Sequence, residues 1–209
     1  MSGRISAIAV HPTNPSIVYV GAAQGGVYRS LDGGTTWTPL LDAAAKLSIG
    51  ALAIDPQSAS TLFVGTGEAN LSGDSAAGVG IYIITNADGV SPALSGPFGA
   101  AAFNNRSISR IAINPGDHNT IFVTTTSGTV GNPGGSTGNF VAQPTRGLYR
   151  SQNALAATPS FTLLTTSSAT NLSHTDVIIN PANANVVICA AFGDGIYRST
   201  NALDATPSF

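Results

Sequence analysis

The apolar positions of this chain recur in a fixed order. Three apolar residues, one variable residue and a proline occur together four times: Ile8-Ala9-Val10-His11-Pro12, Leu52-Ala53-Ile54-Asp55-Pro56, Ile111-Ala112-Ile113-Asn114-Pro115 and Val177-Ile178-Ile179-Asn180-Pro181. Eight residues after each proline a second apolar run reaches the same point, at Val20, Val64, Val123 and Cys189. A third element follows as Gly26-Val27-Tyr28-Arg29-Ser30, Gly80-Ile81-Tyr82-Ile83, Gly147-Leu148-Tyr149-Arg150-Ser151 and Gly195-Ile196-Tyr197-Arg198-Ser199. Short β-branched and aromatic runs bounded by Gly, Pro and Asn predict strands. Helical signal is confined to one short turn over Leu41-Asp42-Ala43-Ala44-Ala45-Lys46.

Each repeat therefore reads as a four-stranded antiparallel meander, with Pro-rich turns after strand one. The fourth strand is Thr36–Leu40 in the first unit and Ser160–Leu164 in the third. A lone small sheet leaves both faces exposed, whereas radial packing buries them. The expected fold is all-β: a β-propeller of four-stranded antiparallel blades in a single domain over 1–209, with blades at about 4–41, 47–98, 106–165 and 173–209. The fourth unit stops at Thr206-Pro207-Ser208-Phe209, where the third continues past Thr158-Pro159-Ser160-Phe161 into another strand. The last of the four blades is thus expected to be truncated, and the chain to be part of a propeller of roughly six to ten blades. The alternatives are a homodimer completing one ring, or four blades closing alone.

Composition narrows the partners. Charged residues make up 9% of the chain and the net charge is −2, which gives no electrostatic footing for nucleic acid. The apolar residues fall in short runs, so membrane insertion is not expected. No signal peptide precedes Ile5, and an extracellular or periplasmic location is expected on the abundance of small polar residues. Cys189, the single cysteine, lies in an apolar run and reads as a buried, inert thiol.

Ser30-Leu31-Asp32-Gly33-Gly34-Thr35-Thr36-Trp37 fits Ser-x-Asp-x-Gly-x-Thr-Trp, and on this motif the chain resembles the BNR/Asp-box repeat propellers. That group includes sialidases, xyloglucan-cleaving glycoside hydrolases and sortilin-type receptors. Gly3–Val10 and Gly65–Ser75 resemble an uncharacterised bacterial branch of it. The resemblance implies a structural role for Ser30, Asp32, Gly34, Thr36 and Trp37. The polar residues would bond the turn backbone, and Trp37 would pack between blades. Units two to four carry eroded versions of the box, Thr85–Gly89, Gln152–Ala154 and Thr200–Ala202, as suits a scaffold element. Xyloglucan-cleaving relatives place a catalytic aspartate just before the Gly-Gly of the first blade. Here that stretch is Ala22-Ala23-Gln24-Gly25-Gly26, without a carboxylate.

Meander geometry puts the connections between strands two and three, and between blades, on one end of the barrel of sheets. These carry nearly all the length variation, at Gly65–Gly80, Ala93–Ser107, Ser127–Gly147 and Thr165–Thr175. Long loops on one face of a rigid scaffold are where binding and catalysis concentrate. Ligand-binding candidates there are Glu68, Asn70, Asp74, Asn105, Arg106 and Arg110. Glu68 and Asp74 have three readings: caps of loop backbone, contacts to a ligand or Ca²⁺, or a glycosidase acid and base. Apart from that Ca²⁺, no cofactor is expected, and a zinc site is not expected because His and Cys do not cluster. Arg110 and Asp176 occupy matching repeat positions and read as an ion pair, and His174 reads as a solvated loop residue. Arg29, Arg150 and Arg198 share one repeat position, point outward from separate blades without converging, and are expected to stack over the adjacent blade or on the neighbouring tyrosine.

The expected function is a non-catalytic extracytoplasmic module recognising a glycan or protein through its loop-rich face. The alternatives are a sialidase- or xyloglucanase-like glycoside hydrolase with part of its active site outside this chain, and a structural repeat of a larger surface protein.

Overall fold

The computed structural model describes residues 3–70, 75–128 and 143–209. They form four antiparallel sheets. The first contains β1 (Ile5–Val10), β2 (Val18–Ala22), β3 (Gly26–Ser30) and β4 (Thr38–Pro39). The second contains β5 (Ile49–Asp55), β6 (Ser58–Thr66), β7 (Ile81–Thr85) and β8 (Ala93–Phe98). A one-turn helix, α1 (Ala100–Phe103), leads to the third sheet, of β9 (Ser107–Ile113), β10 (Ile121–Thr126), β11 (Leu148–Ser151) and β12 (Thr162–Leu164). The fourth has three strands, β13 (His174–Ile179), β14 (Val187–Ala191) and β15 (Gly195–Ser199). The architecture is that of four β-propeller blades, with the first strand of each lining the centre.

The expected all-β fold stands, with two local corrections. Ala93–Phe98, at the start of a segment read as an inter-blade loop, is the outer strand of the second blade. Among the described residues the one helix is α1, which the sequence pattern does not signal, while the 41–46 segment makes the short turn expected of it, the Ala44 N–H donating to Leu41 O. Phe103 on α1 is fully buried and meets Phe161 and Tyr149 edge-on, with ring centroids 4.7 and 5.3 Å away. Those contacts hold four residues that are too few to be a stable helix on their own.

The blades share one register. Ala9–Tyr19–Arg29, Ala53–Phe63–Ile83, Ala112–Phe122–Arg150 and Ile178–Ile188–Arg198 are the equivalent cross-strand rows on one face. On the other face the rows are Ile8–Val20–Tyr28, Leu52–Val64–Tyr82, Ile111–Val123–Tyr149 and Val177–Cys189–Tyr197. Each of the three hydrophobic clusters joins the first-type face of one blade to the second-type face of the next. Period-two alternation thus supplies two apolar faces per sheet, and stacking hides both.

Arg29 and Arg150 do reach over the adjacent blade, as hydrogen-bond donors. Both are buried, and each donates from Nη1 to two carbonyls on the following blade. Arg29 reaches Ala87 O and Gly89 O at 2.8 and 2.6 Å, and Arg150 reaches Ala202 O and Asp204 O at 2.6 and 2.7 Å. Arg198 is exposed. A bulge recurs near the start of each inner strand, at Ser6, Gly50, Ser109 and Thr175. There Ser6 Oγ donates to Ile49 O, and Ser109 Oγ donates to His174 O, again on the next blade. At the short-turn end His118 Nδ1 lies 2.7 Å from Asp55 Oδ2, and Gln57 Nε2 donates to Pro115 O at 3.0 Å. Polar ties of this kind fix the relative height of blades that apolar contact alone leaves free to slide.

The Ser30–Trp37 turn is built by its own side chains. Ser30 Oγ donates to Asp32 Oδ1 at 2.8 Å, and the Thr36 N–H and hydroxyl donate to the two carboxylate oxygens at 2.8 and 2.7 Å. Those bonds, led by the Thr36 hydroxyl, hold the exposed Asp32 carboxyl down at about 2. Asn153 and Asn201 take over the aspartate's role in the third and fourth blades, each accepting from a serine hydroxyl at 3.1 Å and from the N–H of Ser160 or Ser208. Trp37 corrects an expectation: it is 40% exposed, and its Nε1–H donates to Gly34 O within the same turn instead of entering an inter-blade seam.

Candidate functional site

The long connections meet at one end of the molecule. The Gly78 N–H donates to Arg106 O at 2.8 Å and the Asn105 N–H donates to Gly78 O at 3.0 Å, stitching the β6–β7 loop to the entrance of β9. Arg106 in turn donates from Nη1 to Ser127 O at 3.3 Å and from Nε to Pro144 O at 2.7 Å. The Glu68 loop and both stems of the 127–147 connection therefore share this end. Glycines permit the crowding: Gly67, at φ 91°, passes so near Ser107 that a Cβ would lie 2.6 Å from its Cα.

The carboxylate candidates are placed otherwise than a catalytic pair requires. Glu68 has a fully buried side chain, its Oε1 paired with the Arg4 guanidinium and accepting from Asn70 Nδ2 at 3.1 Å. An acid or base needs access to the scissile bond, and Glu68 has none in this arrangement. It does not fit Ca²⁺ either, because a dication on Oε1 would sit beside a guanidinium. Asp74 lies outside the described residues, so a Glu68–Asp74 separation has no bearing here. Among the described residues no group of three or more His, Cys, Asp or Glu converges on a common point. Asn70 is exposed, and Asn105 is half-buried in the left-handed region at φ 61°.

Arg110 separates from this group. It lies on the inner wall, with Nε 3.5 Å from Asp176 Oδ1, both side chains more than half exposed. Arg110 lines a mostly apolar central recess of about 370 Å³ with Ile54, Ile113 and Ile179. Such an exposed pair contributes little to stability.

Arg106 remains at the loop-rich end and gains a neighbour the repeats did not advertise. Arg146 precedes the Gly147 element, where the other repeats have Gly25, Val79 and Asp194. That break in the pattern was the available signal. The Arg146 N–H and Nε both donate to Asn171 Oδ1, at 2.9 and 3.2 Å, and Nη1 donates to Ser173 Oγ at 3.2 Å. Burial, then the positive charge of Arg146, lowers the Arg106 guanidinium from its usual range. Among the described residues neither arginine has an ion-pair partner, and the 129–142 stretch between their segments contains no charged residue in the sequence. Arg146 borders a recess of about 250 Å³ that is also lined by Leu163, Thr166, Ser167, Asn171 and His174. Asn104, Asn105 and Pro144 border a second recess, of about 330 Å³.

His174 is not a solvated loop residue. It opens β13, is 3% exposed, and replaces the isoleucine found at the matching Ile5 and Ile49. Its Nδ1–H donates to Leu172 O at 3.1 Å, and Nε2 accepts from the Thr166 hydroxyl at 2.8 Å. Burial lowers its pKa, so the fold favours the neutral ring. Below about 6.5 the unfolded chain binds a proton that the folded one resists, and stability falls as pH drops from there to the lower folded pKa. Thermal melts of the wild type are expected to lose midpoint between pH 7 and 5, and His174→Gln to flatten that slope. An unchanged slope in the variant would reject this assignment. Cys189 is inert for the same reason, its buried thiol pushed up to about 12.

No family profile and no curated protein sequence matches this chain. Solved structures do. An ancestral GH74 enzyme superposes with a TM-score of 0.67 at 24% identity over 99% of this chain and 24% of its own. The GH74 enzyme of Niastella koreensis gives 0.63 at 18% identity over 99% of this chain and 30% of its own. The GH74 xyloglucanase of Xanthomonas campestris gives 0.61 at 16% identity over 93% of this chain and 28% of its own. The chain thus spans less than a third of each. The β-propeller fold is shared with these enzymes and equally with a non-GH74 protein, the Cps50 (Swd1) β-propeller domain, at a TM-score of 0.58 and 12% identity. Among the described residues no helix is long and apolar enough to cross a membrane.

Proposed function

We propose that the protein is a non-catalytic binding module of the Asp-box propeller group that takes a glycan at its loop-rich end, with preference for one bearing a carboxylate. The observation behind this reading is Arg146, a guanidinium that borders the 250 Å³ recess and has no carboxylate paired to it among the described residues, with the buried Arg106 adding positive charge behind it. A planar fork on a rigid blade suits an incoming carboxylate, and neighbouring Asn171 and Thr166 suit hydroxyl groups. The Ser30–Asp32–Thr36 bonding of the box turn supports the group assignment. We place the protein outside the cytoplasm, with no role for nucleic acid. Titration calorimetry with uronic-acid and neutral oligosaccharides tests the reading. Arg146→Ala is expected to weaken acidic-sugar binding about tenfold or more, the equivalent of one charged hydrogen bond. Equal binding of acidic and neutral sugars, or none of either, would reject it.

Glycan hydrolysis is the second reading, drawn from the GH74 fold neighbours. It requires reducing ends to be released from a polysaccharide by the purified chain, and no release would reject it.

A further inference from the structure

The recess beside Arg146 has a wall whose hydrogen-bonding character depends on one buried ring. The connection from the third blade to the fourth supplies that wall through Thr166, Ser167, Asn171 and Leu172. His174 holds both ends of it, Nδ1–H donating to Leu172 O at 3.1 Å and Nε2 accepting from the Thr166 hydroxyl at 2.8 Å. A carbonyl only accepts, so Leu172 O keeps the ring proton on Nδ1 and leaves Nε2 bare. The Thr166 hydrogen is thereby committed to the imidazole, and its oxygen has only lone pairs left for the recess.

A proton added at Nε2 reverses this bond. Both ring nitrogens then donate, the Thr166 oxygen must accept, and its O–H is released. The wall becomes a hydroxyl donor backed by a positive ring, in a recess that Arg146 already borders. A carboxylate takes that O–H together with the Arg146 fork, whereas a neutral sugar has no charge to answer the imidazolium. In the free protein burial is the larger influence on His174 and lowers its pKa, against the Leu172 carbonyl and the Asp194 carboxylate, which favour the charged ring. Asp194, on the turn between β14 and β15, is itself bonded by Tyr197 and Ser167. Arg146, bonded to Ser173 beside the histidine and backed by Arg106, opposes a further positive charge. Arg110 and Asp176, two residues along β13, offset one another, and the Cys189 thiol on β14 is neutral. An anion seated at Arg146 adds the attraction that tips this balance toward the imidazolium.

Resting on the reading of this end as a carboxylate-binding site, we propose that His174 and Thr166 set its specificity by proton linkage. Carboxylate binding at Arg146 is coupled to uptake of one solvent proton at His174 Nε2, which turns the Thr166 hydroxyl from acceptor to donor. Affinity for acidic sugars therefore rises as pH falls, by at most about tenfold per pH unit for one proton, while affinity for neutral sugars does not.

Titration calorimetry with a uronic-acid oligosaccharide at pH 7.5 and 5.5, in buffers of different ionisation enthalpy, tests the linkage. The sugar carboxyl stays ionised across that range, its pKa being about 3–4. Binding is expected to be at least about fivefold tighter at pH 5.5, with a buffer-dependent enthalpy that reports proton uptake. His174→Gln should keep the Arg146 contact but lose both the pH dependence and the uptake. Thr166→Val should lose most of the pH dependence, and Thr166→Ser, which retains the hydroxyl, should keep it. Nitrogen NMR of the wild-type His174 ring gives the same answer without a variant: Nε2 is expected bare in the free protein and protonated in the complex at pH 5.5. Acidic-sugar affinity that is independent of pH, a pH dependence that survives in His174→Gln, or a ring still neutral in the complex would overturn the linkage and leave carboxylate binding standing. Absence of acidic-sugar binding at both pH values would overturn the two together.

Discussion

Gly50→Ala is expected to drive the second and third blades apart and cost about 3 kcal/mol or more of stability. A Cβ built on Gly50 would lie 2.1 Å from Ile108 O and 2.3 Å from Gly67 O. Both obstacles are backbone, one on the neighbouring inner strand and one at the start of a stitched loop, so no rotamer change relieves them. Gly50 stands at the bulge of β5, where Ser6 and Ser109 in their own blades span the gap to the next with a hydroxyl. Here the gap has closed, and the residue must have no side chain. Urea unfolding followed by tryptophan-independent circular dichroism measures the effect. Gly195→Ala, where the nearest atoms to the new Cβ lie 3.9 Å away, is expected to stay within about 0.5 kcal/mol of wild type. Equal midpoints for the two variants would show that the blades can separate without penalty.

The same positions show what the sequence makes legible. Strand order and the placement of length variation at one end follow from periodicity, turn residues and a repeat of apolar type, all local properties. What one blade does to the next is not local. The rows Ile8–Val20–Tyr28 and Ala9–Tyr19–Arg29 alternate along the strands, but only stacking makes Arg29 a donor to Ala87 O instead of a surface charge. Trp37 misleads in the opposite direction. An aromatic residue in a motif suggests a seam, yet its indole N–H is satisfied three residues back, at Gly34 O, and the ring stays at the surface.

At the loop-rich end the gap between sequence and structure is wider. Asn105 and Arg106 stand out as polar residues at a blade entrance, but Arg146 reaches that neighbourhood from 40 positions later in the chain. Glu68 stands out in the sequence as its lone glutamate. Its burial against Arg4 depends on folding the first blade's leading residues over the second blade's loop, which no pattern within 65–80 encodes. Burial changes what such a group can do: a carboxylate held by a guanidinium is a fastener, and removing one partner leaves the other charged and unpaired.

Arg150→Ala is expected to lower the thermal midpoint by about 6–12 °C, the consequence of losing about 3 kcal/mol. Two carbonyls, Ala202 O and Asp204 O, take their bonds from one Nη1 in a seam where Arg150 is nearly excluded from solvent. Burial lowers the guanidinium from its usual range, as desolvation without a direct carboxylate contact must. Those carbonyl bonds are what retain the charge there. Arg150→Leu separates the two contributions of the side chain. It restores apolar contact, which the second blade obtains from Ile83 at the same row position, but supplies no donor. Its midpoint should fall between those of Arg150→Ala and wild type. Arg198→Ala should shift the midpoint by no more than about 2 °C. An equal loss for Arg150→Ala and Arg198→Ala would mean that the arginine acts within its own blade, and the inter-blade bonds would then have no part in holding the stack together.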